Sequence, residues 1–382
     1  MSTAASSTTS PTSGRAKPAD GASTRAKKMP DWARHLIVTG LAILVALLVG
    51  TALIASQGVN PLYAYQSLLS HAWLDAAGLQ TTFARTAVLT FTGLAVAIPL
   101  RVGLFNIGAQ GQLLAGAMLG ATFGIQLSSL PAPVLIPLCL LGGLAGGAFW
   151  GWLAGVLRAY RGVHEVISTI MLNYIAMQLI DWLLNGPMKA PGQALPQTAR
   201  LSKHIWLGSL GPVTFGFLIA LVIAILMWWM LRRTVLGFEF QTAGANPDAA
   251  RYAGIRLPSR YSLAMMLGGA LAGLGGAVQT LGETHYFQAE FAGTLGFDGI
   301  TVALLARNNP LGCLVAAFGL ATLRAGAPGL QFETGISPEI VDLLLAIVLA
   351  LVSIPILGQL LFKQRTQVGA TAIASTQGEV NA

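Results

Sequence analysis

The chain has 382 residues, 54% of them hydrophobic and only 9% charged, with a formal net charge of +8. Ordinary soluble domains carry about 25% charged residues, so the composition excludes a soluble globular protein. The long uncharged runs described next specify an all-α polytopic membrane bundle.

Residues 1–30 are rich in Ser, Thr, Ala, Gly and Pro, with scattered basic residues and no apolar periodicity. Such a segment cannot bury a core of its own and reads as a disordered cytoplasmic tail. Residues 31–362 read as one transmembrane domain, and 363–382 as a second cytoplasmic tail. The first apolar run, HLIVTGLAILVALLVGTALIAS at 35–56, has no charge after His35. About 20 residues suffice to cross the hydrocarbon core, and no A-x-A cleavage pattern marks this run as a removable signal. Further spans are expected at 84–100, 104–126, 132–157, 166–185, 212–231, 261–281, 294–306, 311–325 and 339–360, about ten transmembrane helices in all. The runs at 294–306 and 311–325 are short and Gly-rich, the pattern of broken or re-entrant helices sheltered inside a bundle. Cys139 and Cys313 fall in apolar runs and read as structural thiols.

Basic residues set the expected orientation, because inner loops collect Lys and Arg. With the amino terminus inside, 17 of the 22 Lys and Arg face the cytoplasm, leaving Arg85, Lys189, Arg200, Lys203 and Arg324 at the outer ends. Both termini are then cytoplasmic. This bias accounts for the basic balance, and no nucleic-acid partner is expected.

One inner loop departs from the apolar pattern with GANPDAARYAGI at 244–255. Asn246 suits an N-cap, Pro247 the first helical position, Asp248 the positive end of the dipole, and Gly254 a left-handed terminus. The stretch encodes about two helical turns, too few to be stable alone. It is either a turn lying on the headgroups or an element held by packing and offered to a partner. The chain contains no G-x-x-x-x-G-K-[ST], H-E-x-x-H, Cys/His cluster or G-x-S-x-G, so nothing supports catalysis by the chain itself. A polytopic chain without its own chemistry points to a transporter or channel.

Four stretches in order, GLFNIGAQGQ (103–112), HEVISTIMLNYIA (164–176), AGANPDAARYAGI (243–255) and GFDGITVALLARNNPLG (296–312), resemble the permease subunits of ABC importers of the branched-chain amino acid and simple-sugar class. Within that class the resemblance is closest to nucleoside permeases, and it covers roughly residues 35–360. It implies a subunit that provides the path for a small neutral polar solute, with a nucleoside first and a simple sugar or branched-chain amino acid as the alternatives. It also implies the partners: an ATPase subunit holding ATP and Mg, a second homologous permease in a heterodimer, and an extracytoplasmic substrate-binding lipoprotein. This chain itself would bind no cofactor or metal, and would sit in the cell membrane. Gly244, Ala245, Asn246, Pro247, Asp248, Ala249, Ala250, Arg251, Tyr252, Ala253, Gly254 and Ile255 would form the coupling helix that enters a groove of the ATPase. Gln110 is a departure, since the family usually has Glu there. A self-powered secondary transporter or channel is the competing class, but it would need ion ligands or an inverted repeat.

Polar residues within the spans are the candidates for the translocation path: Phe105, Asn106, Gln110, Gln112, Glu165, Asn173 and Asp298. An unpaired amide in an apolar segment is costly. Asn106 and Gln110, four apart, would share a helical face that either looks into a path, braces a helix break, or makes an interhelical hydrogen bond. Glu165 beside Arg158 and Arg161 is a gate-closing partner or a solvated anchor. Asp298 within a helix costs about 2.5–3.5 kcal/mol on insertion scales, so it must face water, protein or substrate. Gly143, Gly147, Gly151 and Gly155 at every fourth position, with Gly269 and Gly273, mark a close helix seam.

Overall fold

The computed structural model describes residues 31–288 and 293–353. The two expected tails, 1–30 and 363–382, and the end of the last expected span lie outside the described residues. Helices α1 (Asp31–Ser56) and α2 (Pro61–Trp73) meet at a bend of 113°. Helix α2 falls outside every expected span, because Gln66, Ser67, Ser70 and His71 break its apolar pattern. Its start was nonetheless encoded: the Asn60 side chain accepts from Leu62 N at 2.9 Å, with Pro61 at the first position.

Helices α3 (Ala76–Leu100), α4 (Ala109–Gln126), α5 (Ala132–Arg161) and α6 (Glu165–Asn185) follow. A loop with a 3-10 turn at Lys203–Ile205 and a small antiparallel hairpin, β1 (Ser209–Leu210) with β2 (Val213–Thr214), leads into α7 (Phe215–Arg233). Then come α8 (Val235–Ala245), α9 (Pro247–Tyr252), α10 (Leu257–Gln279) with a π turn over Thr280–Thr284, α11 (Leu295–Leu305), α12 (Pro310–Thr334) and α13 (Glu339–Ser353).

Among the described residues six helices are long and apolar enough to cross a membrane: α3, α5, α6, α7, α12, and α10 with its π turn. The bent α1–α2 pair makes a seventh if taken as one span. This is fewer than the ten expected, for physical reasons. Helix α4 carries Gln110, Gln112 and four glycines in 18 residues, and α11 has only 11 residues. Conversely, the run expected as a short broken helix at 311–325 is one continuous 25-residue helix, α12. One of its glycines marks a close approach: a methyl on Gly326 would overlap the Leu68 carbonyl of α2.

Helices α4, α5 and α10 form the centre. A methyl on Gly147 would overlap the Gly269 carbonyl, one on Gly273 the Gly143 carbonyl, and one on Gly116 the backbone of Gly273. The expected glycine seam therefore exists as direct backbone contact, with α4 joining it as a third member.

Candidate functional site

Helix α9 forms as its residues dictate. The Asn246 side chain accepts from Asp248 N at 3.0 Å and from Ala249 N at 3.1 Å. At the other end Gly254 takes φ +80°, and the N–H groups of Gly254 and Ile255 donate to Arg251 O and Ala250 O, each at 3.0 Å. These two bonds satisfy carbonyls that would otherwise be orphaned at a helix end. Gly244 and Ala245 belong to α8 instead, so Asn246 ends one helix and caps the next. Within α9 only Ala250 is buried, whereas Tyr252 is 94% exposed. Asp248 and Arg251 pair with each other at 3.1 Å on the exposed side, a contact that contributes about 0–1 kcal/mol.

Behind α9, helix α8 is fixed by the Arg260–Glu239 ion pair to α10 at 2.7 Å and by Gln241 Nε2 donating to Leu231 O at 2.7 Å. Gly244 lies directly on the backbone at Arg101 and Gly103, where a methyl would overlap the Arg101 carbonyl.

Residues 101–108 are a break between α3 and α4, and the amides gather around it. Asn106 precedes α4, so it does not share a helical face with Gln110; its partner is Gln112. The Asn106 Nδ2 donates to Gln112 Oε1 at 2.9 Å and to Ala95 O at 2.9 Å, while its Oδ1 accepts from Gln112 Nε2 at 3.1 Å and Gly108 N at 3.0 Å. Gln110 reaches another element: its Nε2 donates to Gly293 O at 2.9 Å and its Oε1 accepts from Gly296 N at 2.8 Å, clasping the start of α11. Asn173 on α6 accepts from Gly111 N at 2.8 Å and donates to Ile107 O at 3.0 Å. All four amides are buried; Asn106 and Asn173 hold backbone at the break, Gln112 orients Asn106, and Gln110 holds the start of α11, so that backbone groups there find partners. Of the readings open for Asn106 and Gln110, the contacts are those of a brace.

The remaining candidates are dispersed. Glu165 is buried, with its Oε2 at 3.3 Å from Arg158 Nε and 3.9 Å from His164 Nδ1. Asp298 faces protein: Arg324 of α12 lies 2.8 Å from its Oδ2. Phe105 is half-buried. Sequence reasoning passed over Arg101 and Arg324. Arg101 Nη2 and Nε both donate to Asn308 O, at 2.5 and 3.2 Å, and Arg324 bridges Asp298 and Asp342. Each is a lone cation beside an apolar run, and that was the available signal.

Residues 78–353 match the family described as branched-chain amino acid transport system permease component. The nucleoside ABC transporter permease protein NupB of Lactococcus lactis is 34% identical over 91% of this chain and 98% of its own length. The guanosine ABC transporter permease protein NupP of Bacillus subtilis is 34% identical over 84% of this chain and 93% of its own length. The glucose ABC transporter permease protein TsgB13 of Haloferax volcanii is 35% identical over 81% and 84% respectively. A solved inward-facing ABC transporter described as metal-chelate type is similar at a TM-score of 0.43 and 15% identity, over 87% of this chain and 99% of that one.

Proposed function

The chain belongs to the branched-chain amino acid transport system permease family, and from that premise we propose that it forms one half of the path of an ATP-driven importer whose solute is a nucleoside. It is a multi-pass membrane transport subunit. The nucleoside reading is supported by two relatives named for nucleoside and guanosine transport and by a membrane domain with few charges. A neutral solute with ring and hydroxyl groups needs hydrogen bonds more than a charge clamp. In this reading ATP and Mg are bound by a partner ATPase subunit, a second homologous permease completes a heterodimer, and an extracytoplasmic binding lipoprotein delivers the solute. Both termini face the cytoplasm.

The observation that carries the reading is α9: six residues, capped at both ends, anchored by one buried alanine and otherwise presented to solvent. A helix this short persists only through packing, and its exposed face is the surface offered to the ATPase. Ala250, buried against its own chain, is an anchor, so the docking contacts fall to Ala249, Tyr252 and their exposed neighbours. Ala249→Glu combined with Tyr252→Asp should abolish co-purification of the ATPase subunit and uptake at equal membrane expression, while Arg251→Ala should do little. Retention of both in the double variant would refute the docking role. Uptake of labelled nucleosides measured against ribose and leucine tests the solute, and preference for either of the latter would overturn the nucleoside assignment.

A further inference from the structure

The break at 101–108 and the first turn of α4 hold α11 at both ends while touching the element that carries α9. At its first residue, the Arg101 guanidinium places two nitrogens on one carbonyl, Asn308 O. That carbonyl lies in the tight turn after α11, where Arg307 and Asn308 have φ of 50° and 59°. Two consecutive non-glycine residues in the left-handed region persist only where surroundings over-determine them. The turn is fused to α11, since Arg307 N donates to Leu304 O at 3.0 Å and Asn308 N to Ala303 O at 2.9 Å. Just past the break, in the first turn of α4, Gln110 clasps Gly293 and Gly296 at the start of α11. On the opposite side of Arg101, its backbone carries Gly244 of α8 with no side chain between them.

We propose that Arg101 is the positioning residue through which displacement of the α8–α9 unit is passed to α11. The inference rests on the importer reading above and extends it to the means of coupling. Backbone-to-backbone contact at Gly244 transmits a push without slack, because no rotamer stands between the two chains. The two-pronged grip on Asn308 O then moves the turn, and α11 follows as a rigid piece held by Gln110 at its other end. A direct consequence is that the Asp298–Arg324 contact, borne by α11, is disturbed whenever α9 shifts. The chemistry required of residue 101 is a planar cation able to donate twice to one acceptor, which Lys does not reproduce.

The test uses the complete transporter, with ATPase, second permease and binding protein, reconstituted in liposomes. ATP hydrolysis, solute uptake and ATPase capture are measured together. In Arg101→Gln the ATPase should still be captured and hydrolyse ATP, but uptake per ATP should drop about tenfold, within the range of ordinary coupling energies. Arg233→Gln, which removes an exposed arginine at the end of α7, is the matched control, and its uptake per ATP should equal wild type. If Arg101→Gln fails to reach the membrane, Arg101→Lys is read in the same way, with a smaller drop. Parallel loss of hydrolysis and uptake at residue 101, an unchanged ratio, or equal uncoupling by Arg233→Gln would overturn the proposal. Uptake by the wild-type complex without ATP hydrolysis would instead sink the importer reading itself.

Discussion

Arg324 Nη2 lies 2.8 Å from Asp298 Oδ2, and the same nitrogen lies 3.0 Å from Asp342 Oδ1. One guanidinium on α12 therefore ties α11 to α13. Thr294 adds a fourth polar group, accepting from Arg324 Nη2 at 3.0 Å. The Asp298 and Arg324 side chains are only 13% and 18% exposed, so solvent screens their contact weakly. The cost of placing a carboxylate in this helix is offset by that partner.

Breaking such a pair from one side leaves an uncompensated charge, at about 3–5 kcal/mol when buried. Arg324→Ala should therefore lower the melting temperature of the detergent-purified protein substantially. Asp298→Leu with Arg324→Leu, which removes both charges, should recover part of the loss. Asp342, with a side chain 55% exposed, should matter little, and Asp342→Asn should melt near wild type. Equal melting of Arg324→Ala and wild type would show the contact to be energetically idle.

Gln110 supplies both a donor and an acceptor to the start of α11. Gln110→Ala strands Gly296 N in a buried setting and leaves Gly293 O to solvent, an expected loss of about 1–3 kcal/mol for the buried donor. Gln110→Glu retains the acceptor for Gly296 N and should lose less than the alanine variant. Thermal melts of the two variants decide this, and a glutamate variant weaker than alanine would contradict it.

At the seam, Gly147→Leu places a side chain where the Gly269 carbonyl already sits. Because backbone on both sides fills the space, the helices must separate. The variant should accumulate poorly in membranes and aggregate on extraction, whereas Gly319→Leu, which points into open space, should accumulate normally. Fluorescence-detected size exclusion of tagged proteins distinguishes the two.

His285 stacks on Trp206, with centroids 3.7 Å apart and planes 5° from parallel. Burial, together with the nearby Arg200 charge, holds its imidazole below the ordinary value of 6.5, against the pull of the Leu281 carbonyl. A histidine whose folded value is depressed contributes stability that is complete above the unfolded value and is lost as pH falls through the folded one. Acidification from about pH 7 to 5 should therefore loosen this loop, and Trp206 emission should shift over that interval. His285→Gln should abolish the pH dependence of the shift, while a shift that survives the substitution assigns it elsewhere.

Much of this was legible beforehand. Asn246, Pro247 and Gly254 wrote the limits of α9 because caps are local chemistry, readable within a few residues. The Gly143-to-Gly155 repeat announced the seam because spacing alone creates it. The amide clasp was not legible, since Gln110 meets Gly296 across 186 positions and no local pattern encodes that meeting. Asn106 was assigned to a helical face that the 101–108 break removes. Helix α2 was missed because it is short and packs only one face, Ala64, Ser67, Leu68 and Ala72, into the bundle, so hydropathy along the chain did not show it.

The seam of α4, α5 and α10 also decides where this molecule can deform. Packing made of carbonyls and α-carbons offers no side chains to rotate and therefore no alternative interlocking at similar energy. These three helices behave as a stator. Rearrangement is then left to contacts outside this seam that run through side chains, while the centre keeps its shape.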